Sequence, residues 1–239
     1  MRILVSNDDG IDAAGFRTLV EIASAFGTVY AAAPAGQCSA MSQKINIHDP
    51  IRVQEEAFSP AVKAWRIFGT PADSVKIALR CLLEEKPDLV LSGVNYGCNV
   101  GFDIPYSGTV GAAMEGLMNG IPAIAVSAEG GEEGLATVRA VVPGILKNLL
   151  AVSPGKDCIY NINIPPLPPD KIKGIRYGVK PAPYVLYKDG YTMEKNGDGS
   201  FSVRFHGQMC TAEETWGDND AALIMHGYVT VGTVKNMAL

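Results

Sequence analysis

The sequence predicts an α/β fold whose sheet is mostly parallel and covered by helices on both faces. Three observations carry that prediction. Short apolar runs recur as Ile3-Leu4-Val5, Val29-Tyr30-Ala31-Ala32-Ala33, Leu89-Val90-Leu91 and Ala123-Ile124-Ala125-Val126. The runs are continuous rather than alternating, as expected of strands buried on both sides. Segments with helical apolar spacing separate them, and strand, helix, strand in this rhythm implies βαβ crossovers.

The elements follow in order. Ile3-Leu4-Val5 stops at Asn7-Asp8-Asp9-Gly10, where polarity and glycine break the strand. Phe16, Leu19, Val20, Ala23 and Phe26 then share one helical face. Pro34 closes the next strand, and Trp65-Arg66-Ile67-Phe68 reads as another. Thr70-Pro71-Ala72-Asp73 has the form of a helix start: Thr as N-cap, Pro at the first helical position, an acid in the first turn. Leu89-Val90-Leu91 runs into the polar, glycine-rich Ser92-Gly93-Val94-Asn95, read as a loop. A helix is expected over 109–118, ended by Gly120, and another over 135–150, which Pro143 kinks or breaks. Tyr160, Ile162 and Ile164 alternate with Asn161 and Asn163 before Pro165-Pro166.

After about residue 175 the pattern changes. Residues 184–187 and 191–193 around Asp189-Gly190 read as a β-hairpin. Phe201, Val203 and Phe205 alternate after Gly197-Asp198-Gly199, and Tyr228-Val229-Thr230-Val231 is a late strand. The chain reads as one domain over 1–239, with a core to about 175 and a β-hairpin arm and terminal strand over about 176–239. A hairpin of this kind cannot bury its apolar side alone, so a second copy of the chain is its expected partner.

Composition narrows the function. Charged residues make up 19% and hydrophobic residues 47% of 239 residues, which is globular and excludes disorder. A net charge of −5 argues against a nucleic-acid polymer or an anionic membrane as partner. No apolar run approaches the ~18 to 20 residues that span a bilayer. The N-terminus lacks a signal-peptide pattern, and five scattered cysteines without a C-x-x-C read as free thiols, so the expected location is cytoplasmic.

In an open parallel sheet, ligands bind outside the carboxyl ends of the strands. Asn7-Asp8-Asp9-Gly10, Gln37-Cys38-Ser39 and Ser92-Gly93-Val94-Asn95 all fall there. Two adjacent carboxylates repel unless a cation compensates, and oxygens from Asp, Ser and Asn suit a hard divalent ion such as Mg²⁺, Mn²⁺ or Ca²⁺. The plainer role for Asp8 or Asp9 is to cap the following helix. Tyr106-Ser107-Gly108-Thr109 opens a helix with free backbone N–H groups, two hydroxyls and a glycine, the elements of an anion site, and Asn99 lies just before it. Its plainer role is an N-cap by Ser107. There is no Walker loop, dinucleotide fingerprint or nucleophile elbow. His48, His206 and His226 lie outside these clusters, and Cys38 and Cys98 have no basic neighbour to activate them.

Three stretches resemble the SurE-type survival proteins: residues 3–10; Gly69-Thr70-Pro71-Ala72-Asp73; and the long run from Pro87 through Ser92-Gly93-Val94-Asn95, Gly97, Asn99 and Gly101 to Tyr106-Ser107-Gly108-Thr109 and Gly116. Asn161-Ile162-Asn163-Ile164-Pro165 and Gly227-Tyr228-Val229 are weaker echoes. The resemblance implies a Rossmann-like three-layer core and a metal-dependent nucleotidase acting on nucleoside 5′- and 3′-monophosphates. It implies one divalent ion, Mg²⁺ or Mn²⁺, per subunit, held by Asp8, Asp9, Ser39 and Asn95. Asn99, Ser107, Gly108 and Thr109 would contact the phosphate, and Asp8, Asp9 and Asn95 would carry catalysis. It also implies a homodimer or homotetramer built through the arm. A metal-activated water is the expected nucleophile, since the D-x-D spacing of an aspartyl-phosphate enzyme is missing from Asp8-Asp9-Gly10-Ile11-Asp12. The alternative is a non-catalytic nucleotide or phosphate sensor with the same cradle. Two departures stand out. Ser39-Ala40 replaces the family's Ser-Gly, and Thr230-Val231-Gly232-Thr233-Val234 replaces its closing Ser-Ile-Thr-Pro-Leu.

Overall fold

The computed structural model describes residues 1–152 and 155–236. The last three residues of the predicted arm-and-strand segment lie outside them. The strands are β1 (Arg2–Ser6), β2 (Thr28–Pro34), β3 (Val53–Ser59), β4 (Val62–Ile67), β5 (Leu89–Tyr96), β6 (Ala123–Ala128), β7 (Cys158–Ile164), β8 (Ile175–Val179), β9 (Tyr187–Lys195), β10 (Phe201–Met209) and β11 (Val229–Lys235). The α-helices are α1 (Ala14–Ser24), α2 (Pro71–Ile77), α3 (Gly108–Met118), α4 (Gly131–Leu150) and α5 (Asp220–Met225).

Nine strands form one sheet in the order β3-β4-β2-β1-β5-β6-β7-β11-β8. The stretch from β4 to β7 is parallel throughout. Strands β3 and β11 pair antiparallel with β4 and β7. Strand order reverses between β1 and β5, and the crevice at such a switch point is where open α/β sheets bind ligands.

Period-two alternation sends side chains to both faces. Ile3 and Val5 pack with Phe16 and Leu19 of α1 and Val138 and Ile145 of α4. Leu4 faces the other way, with Val75 of α2 and Val110 and Met114 of α3. Both layers are therefore apolar, as the continuous strands require. The start of α2 is a complete capping box: Thr70 Oγ1 accepts from the Asp73 N–H at 3.1 Å and Asp73 Oδ2 accepts from the Thr70 N–H at 3.0 Å, with Pro71 at the first position. Such a box contributes about 1 kcal/mol. The Gly69–Asp73 stretch that matches the family pattern thus works structurally, and Asp73 also accepts from the Asn46 N–H at 3.1 Å, tying down the 42–46 loop.

Three elements differ from the sequence reading. The hairpin does not turn at Asp189-Gly190: both lie inside β9, with Gly190 opposite His206. The turn falls at 196–200, where Gly199 adopts φ +85° and the Asn196 carbonyl accepts from the Gly199 N–H at 3.1 Å. Two Asp-Gly pairs compete for one turn, and Asn196 and Ser200 give the second the local hydrogen bonds that the first lacks. Ser92-Gly93-Val94-Asn95 is not a loop but the far half of β5, whose pairing with β6 shifts register between Ser92 and Asn95. Helix α4 runs through Pro143 without a break. The sequence reading also passed over β3, β8 and α5. Strands β8 and β11 join the main sheet, so the part that projects is only β9 and β10, a separate two-stranded sheet.

Candidate active site

The switch-point crevice opens into a cavity of about 350 Å³. Asp8, Ser39, Asn95, Asn99 and Ser107 line it, from the ends of β1, β2 and β5 and the start of α3. Four separate segments therefore converge there, as the sequence predicts. Asp9 flanks the wall at Asn95 and Tyr96, where its carboxylate accepts from the Tyr96 N–H at 2.8 Å and from the Gln37 side-chain amide.

The loop after β1 is fixed by local bonds. Asn7 Nδ2 donates to the Gly10 carbonyl at 2.9 Å, and the Cys38 N–H donates to the Asp8 carbonyl at 2.7 Å, joining the β1 and β2 loops. Asp8 is almost fully buried, and the Thr109 hydroxyl donates to its carboxylate. Gly108 allows that approach: a Cβ there would sit 2.9 Å from the Asp8 Cβ and 3.0 Å from Oδ2. Helix α1 has no side-chain cap, so neither Asp8 nor Asp9 serves as one. Ser107 does cap α3, accepting from the Val110 N–H at 3.1 Å, while still lining the cavity. Thr109 is fully buried, and both its hydroxyl and its backbone N–H donate to the Asp8 carboxylate, so it is held against Asp8 rather than turned to the cavity.

Electrostatics favour a cation. Burial, reinforced by the charge on Asp9 and partly offset by Thr109, pushes the Asp8 carboxyl up to about 6. Burial raises Asp9 as well. Among the described residues no lysine, arginine or histidine lines the cavity to offset the pair. A buried and a half-buried carboxylate side by side, with no cationic side chain to pair with, are what a divalent ion stabilises. Asn95 Nδ2 donates to the Gly97 carbonyl at 2.7 Å, which leaves its oxygen for a ligand. Among the described residues no group of three His, Cys, Asp or Glu is placed to hold a metal ion, and the side chains facing this cavity offer oxygens of Asp, Ser and Asn, the donors a hard ion takes.

Ala40, where the family pattern has glycine, sits at φ +55°. The loop keeps the left-handed backbone a glycine would favour, at the steric cost of a methyl. Cys38 and Cys98 both have raised thiols through burial, so neither is an activated nucleophile. None of the three histidines lines the cavity.

Sequence reasoning missed the supports of Asn99. Its N–H donates to Asn163 Oδ1 at 2.8 Å, its carbonyl accepts from Asn161 Nδ2 at 2.8 Å and Asn163 Nδ2 at 3.1 Å, and its side-chain amide donates to Ser127 Oγ at 2.8 Å. The signal was the Asn161/Asn163 alternation in β7: polar residues on an otherwise buried strand need partners. Glu129, Tyr187 and Phe205 also line the cavity and carried no local signal.

Fold and site together define an α/β protein with a carboxylate-bearing, oxygen-rich cavity at the carboxyl edge of a parallel sheet. The family model for survival protein SurE matches residues 3–181. The chain belongs to the SurE family. It is 46% identical over 180 residues to a "5'-nucleotidase SurE" of Nostoc sp., covering 74% of this chain and 68% of that protein. A relative of the same name from Gloeobacter violaceus is 38% identical over 242 residues, covering 98% and 90%. The crystal structure of a SurE protein from Aquifex aeolicus superposes with a TM-score of 0.83 at 32% identity, covering 98% of this chain and 93% of that one.

Proposed function

We propose that the protein is a divalent-cation-dependent phosphomonoesterase that hydrolyses nucleoside 5′-monophosphates to nucleoside and phosphate. The observation that carries this reading is the convergence of Asp8, Ser39, Asn95 and Ser107 on one cavity beside Asp9, in a chain whose relatives bear the name 5'-nucleotidase.

Asp8, Asp9, Ser39 and Asn95 would hold one Mg²⁺ or Mn²⁺, which when bound neutralises charge on the phosphoryl oxygens. While Thr109 holds the Asp8 carboxylate, the Gly108 backbone N–H and the Ser107 hydroxyl donate to the phosphate beside it at the start of α3, where the helix dipole favours an anion. Asn99, fixed through its backbone by Asn161 and Asn163, orients the same group. A carboxylate of the Asp8–Asp9 pair accepts the proton of the attacking water as its oxygen bonds to phosphorus, the ester P–O bond breaks in line, and the leaving nucleoside oxygen takes a proton from solvent.

The arm fits a homodimer or a larger homo-oligomer. Tyr191, Met193, Phe201, Val203 and Phe205 are each more than half exposed on a sheet of only two strands. Among the described residues no helix is long and apolar enough to cross a membrane. The cytoplasmic location belongs to this proposal, and the five cysteines are free thiols.

Incubation of the pure protein with nucleoside monophosphates and Mn²⁺ or Mg²⁺ tests the reading. Cation-dependent phosphate release is expected. Nucleotide binding without release across the common nucleotides marks a sensor instead.

A further inference from the structure

One peptide group joins Asn95 to two side chains that the proposed reaction leaves aside. The carbonyl of the Gly97–Cys98 peptide accepts from Asn95 Nδ2 at 2.7 Å. The N–H of the same peptide donates to the Tyr187 hydroxyl at 2.9 Å. That hydroxyl donates in turn to Glu129 Oε2 at 2.6 Å. Asn95, Tyr187 and Glu129 all line the active-site cavity.

The direction of every bond in this chain is forced. A carbonyl only accepts, so the part of the Asn95 amide that meets it is the NH₂ and not the oxygen. A backbone N–H only donates, so the phenol oxygen accepts there and keeps its one hydrogen for Glu129. An ionised carboxylate only accepts, which ends the chain on a charge. Bonds linked in this way polarise one another, and the bond to the charged end is of the strong kind. The consequence reaches Asn95. With its NH₂ committed to Gly97, its Oδ1 is the atom left for a cation.

The peptide needs to be held. Gly97 sits at φ +107°, in the region where glycine alone moves freely. Its own N–H is tied to the Ala128 carbonyl at 2.9 Å, so the plane that follows is fixed from the far side, by Tyr187. Turned over, that plane would present an N–H to Asn95, and the side-chain oxygen would be spent on it. Tyr187 is itself anchored where the arm begins. Asp103 Oδ2 accepts from the Leu186 N–H at 2.7 Å and from the Tyr187 N–H at 3.3 Å.

We infer that Tyr187, braced by Glu129, is a positioning residue that keeps the Asn95 oxygen turned toward the cation. This rests on the cation-dependent reading proposed above. Groups that orient a metal ligand from behind typically cost about ten- to a hundredfold in metal affinity when removed.

Titration calorimetry of the whole chain with Mn²⁺, without nucleotide, tests this. Tyr187→Phe keeps the ring and removes only the hydroxyl. Its Kd for Mn²⁺ should rise by about tenfold or more, with the unfolding temperature close to wild type. Asn95→Ala should weaken Mn²⁺ at least as much. Adding Tyr187→Phe to Asn95→Ala should then change the Kd by less than about twofold, because the hydroxyl acts through Asn95. Glu129→Ala leaves the phenol unbraced and repeats the test from the other end, with a loss in the same direction and the same non-additivity. A Kd within about twofold of wild type in both Tyr187→Phe and Glu129→Ala overturns the inference and leaves the cation reading intact. Losses that add in full on Asn95→Ala overturn it likewise. No Mn²⁺ binding by the wild type overturns both.

Discussion

The carboxyl edge of the parallel sheet and the projecting hairpin are built in opposite ways. At the edge, Asn7, Asp8 and Thr109 are buried and tied to one another and to the backbone within the chain. On the hairpin, Tyr191, Phe201 and Val203 lie more than half exposed, and the ladder between β9 and β10 is the whole of that sheet. The first region carries its own stability. The second has the form of an element completed by another surface, because two strands alone cannot bury an apolar face. The side chains proposed for chemistry sit where the chain over-determines them, and the arm leaves its apolar side chains uncovered.

The largest effect should come from breaking the buried edge. Asp9→Asn should lower kcat/KM by at least about a hundredfold while leaving the circular-dichroism spectrum and unfolding temperature close to wild type. Unchanged turnover would remove Asp9 from the ligand set.

Next in size is a pH effect beneath the arm. Asp220 accepts from the Ala182 N–H at 2.7 Å and the Gly101 N–H at 3.1 Å, tying the base of the arm to the active-site loop. Burial raises its carboxyl to about 6 despite those donors. In the unfolded chain an Asp titrates near ~3.9. Below about 4 the group is protonated in both states. Above about 6 it is ionised in both, and the fold bears the cost of the buried charge. Its contribution to stability therefore falls as pH rises from about 4 to 6, by up to about 3 kcal/mol. Urea unfolding at the two pH values should show the wild type losing ground to Asp220→Asn across this window; a constant difference contradicts the assignment.

Gly108→Ala places a methyl against Asp8 and should cost about 1–3 kcal/mol, together with activity. The matching perturbation of the arm, Val203→Lys, should leave monomer stability within about 0.5 kcal/mol of wild type and shift the mass seen by light scattering toward the monomer. If it instead unfolds the core, the contrast between the two regions fails. The smallest effect is Ala40→Gly, which relieves the left-handed backbone at φ +55° and should stabilise by about 1 kcal/mol in thermal unfolding.

The same contrast explains what was legible in the sequence. Strand, loop and helix at the buried edge are contiguous, so Asn7-Asp8-Asp9-Gly10 and Tyr106-Ser107-Gly108-Thr109 announce themselves by local polarity and glycine. Ser92–Asn95 carried the same polarity, yet pairing with β6 keeps it in a strand, a tertiary effect that no local signal reports. The arm misled because Asp189-Gly190 and Asp198-Gly199 are equal as dipeptides, and only the nine-residue register separates them. Glu129 and Tyr187 were invisible because what brings them to the cavity is a contact between residues 58 positions apart.

Anomalous diffraction from crystals grown in Mn²⁺ is the most direct test of the central assignment. One manganese peak per chain, bounded by oxygens of Asp8, Asp9, Ser39 and Asn95, is the result the structure predicts. A peak held by other residues, or those four side chains turned away from any ion at saturating manganese, would contradict it.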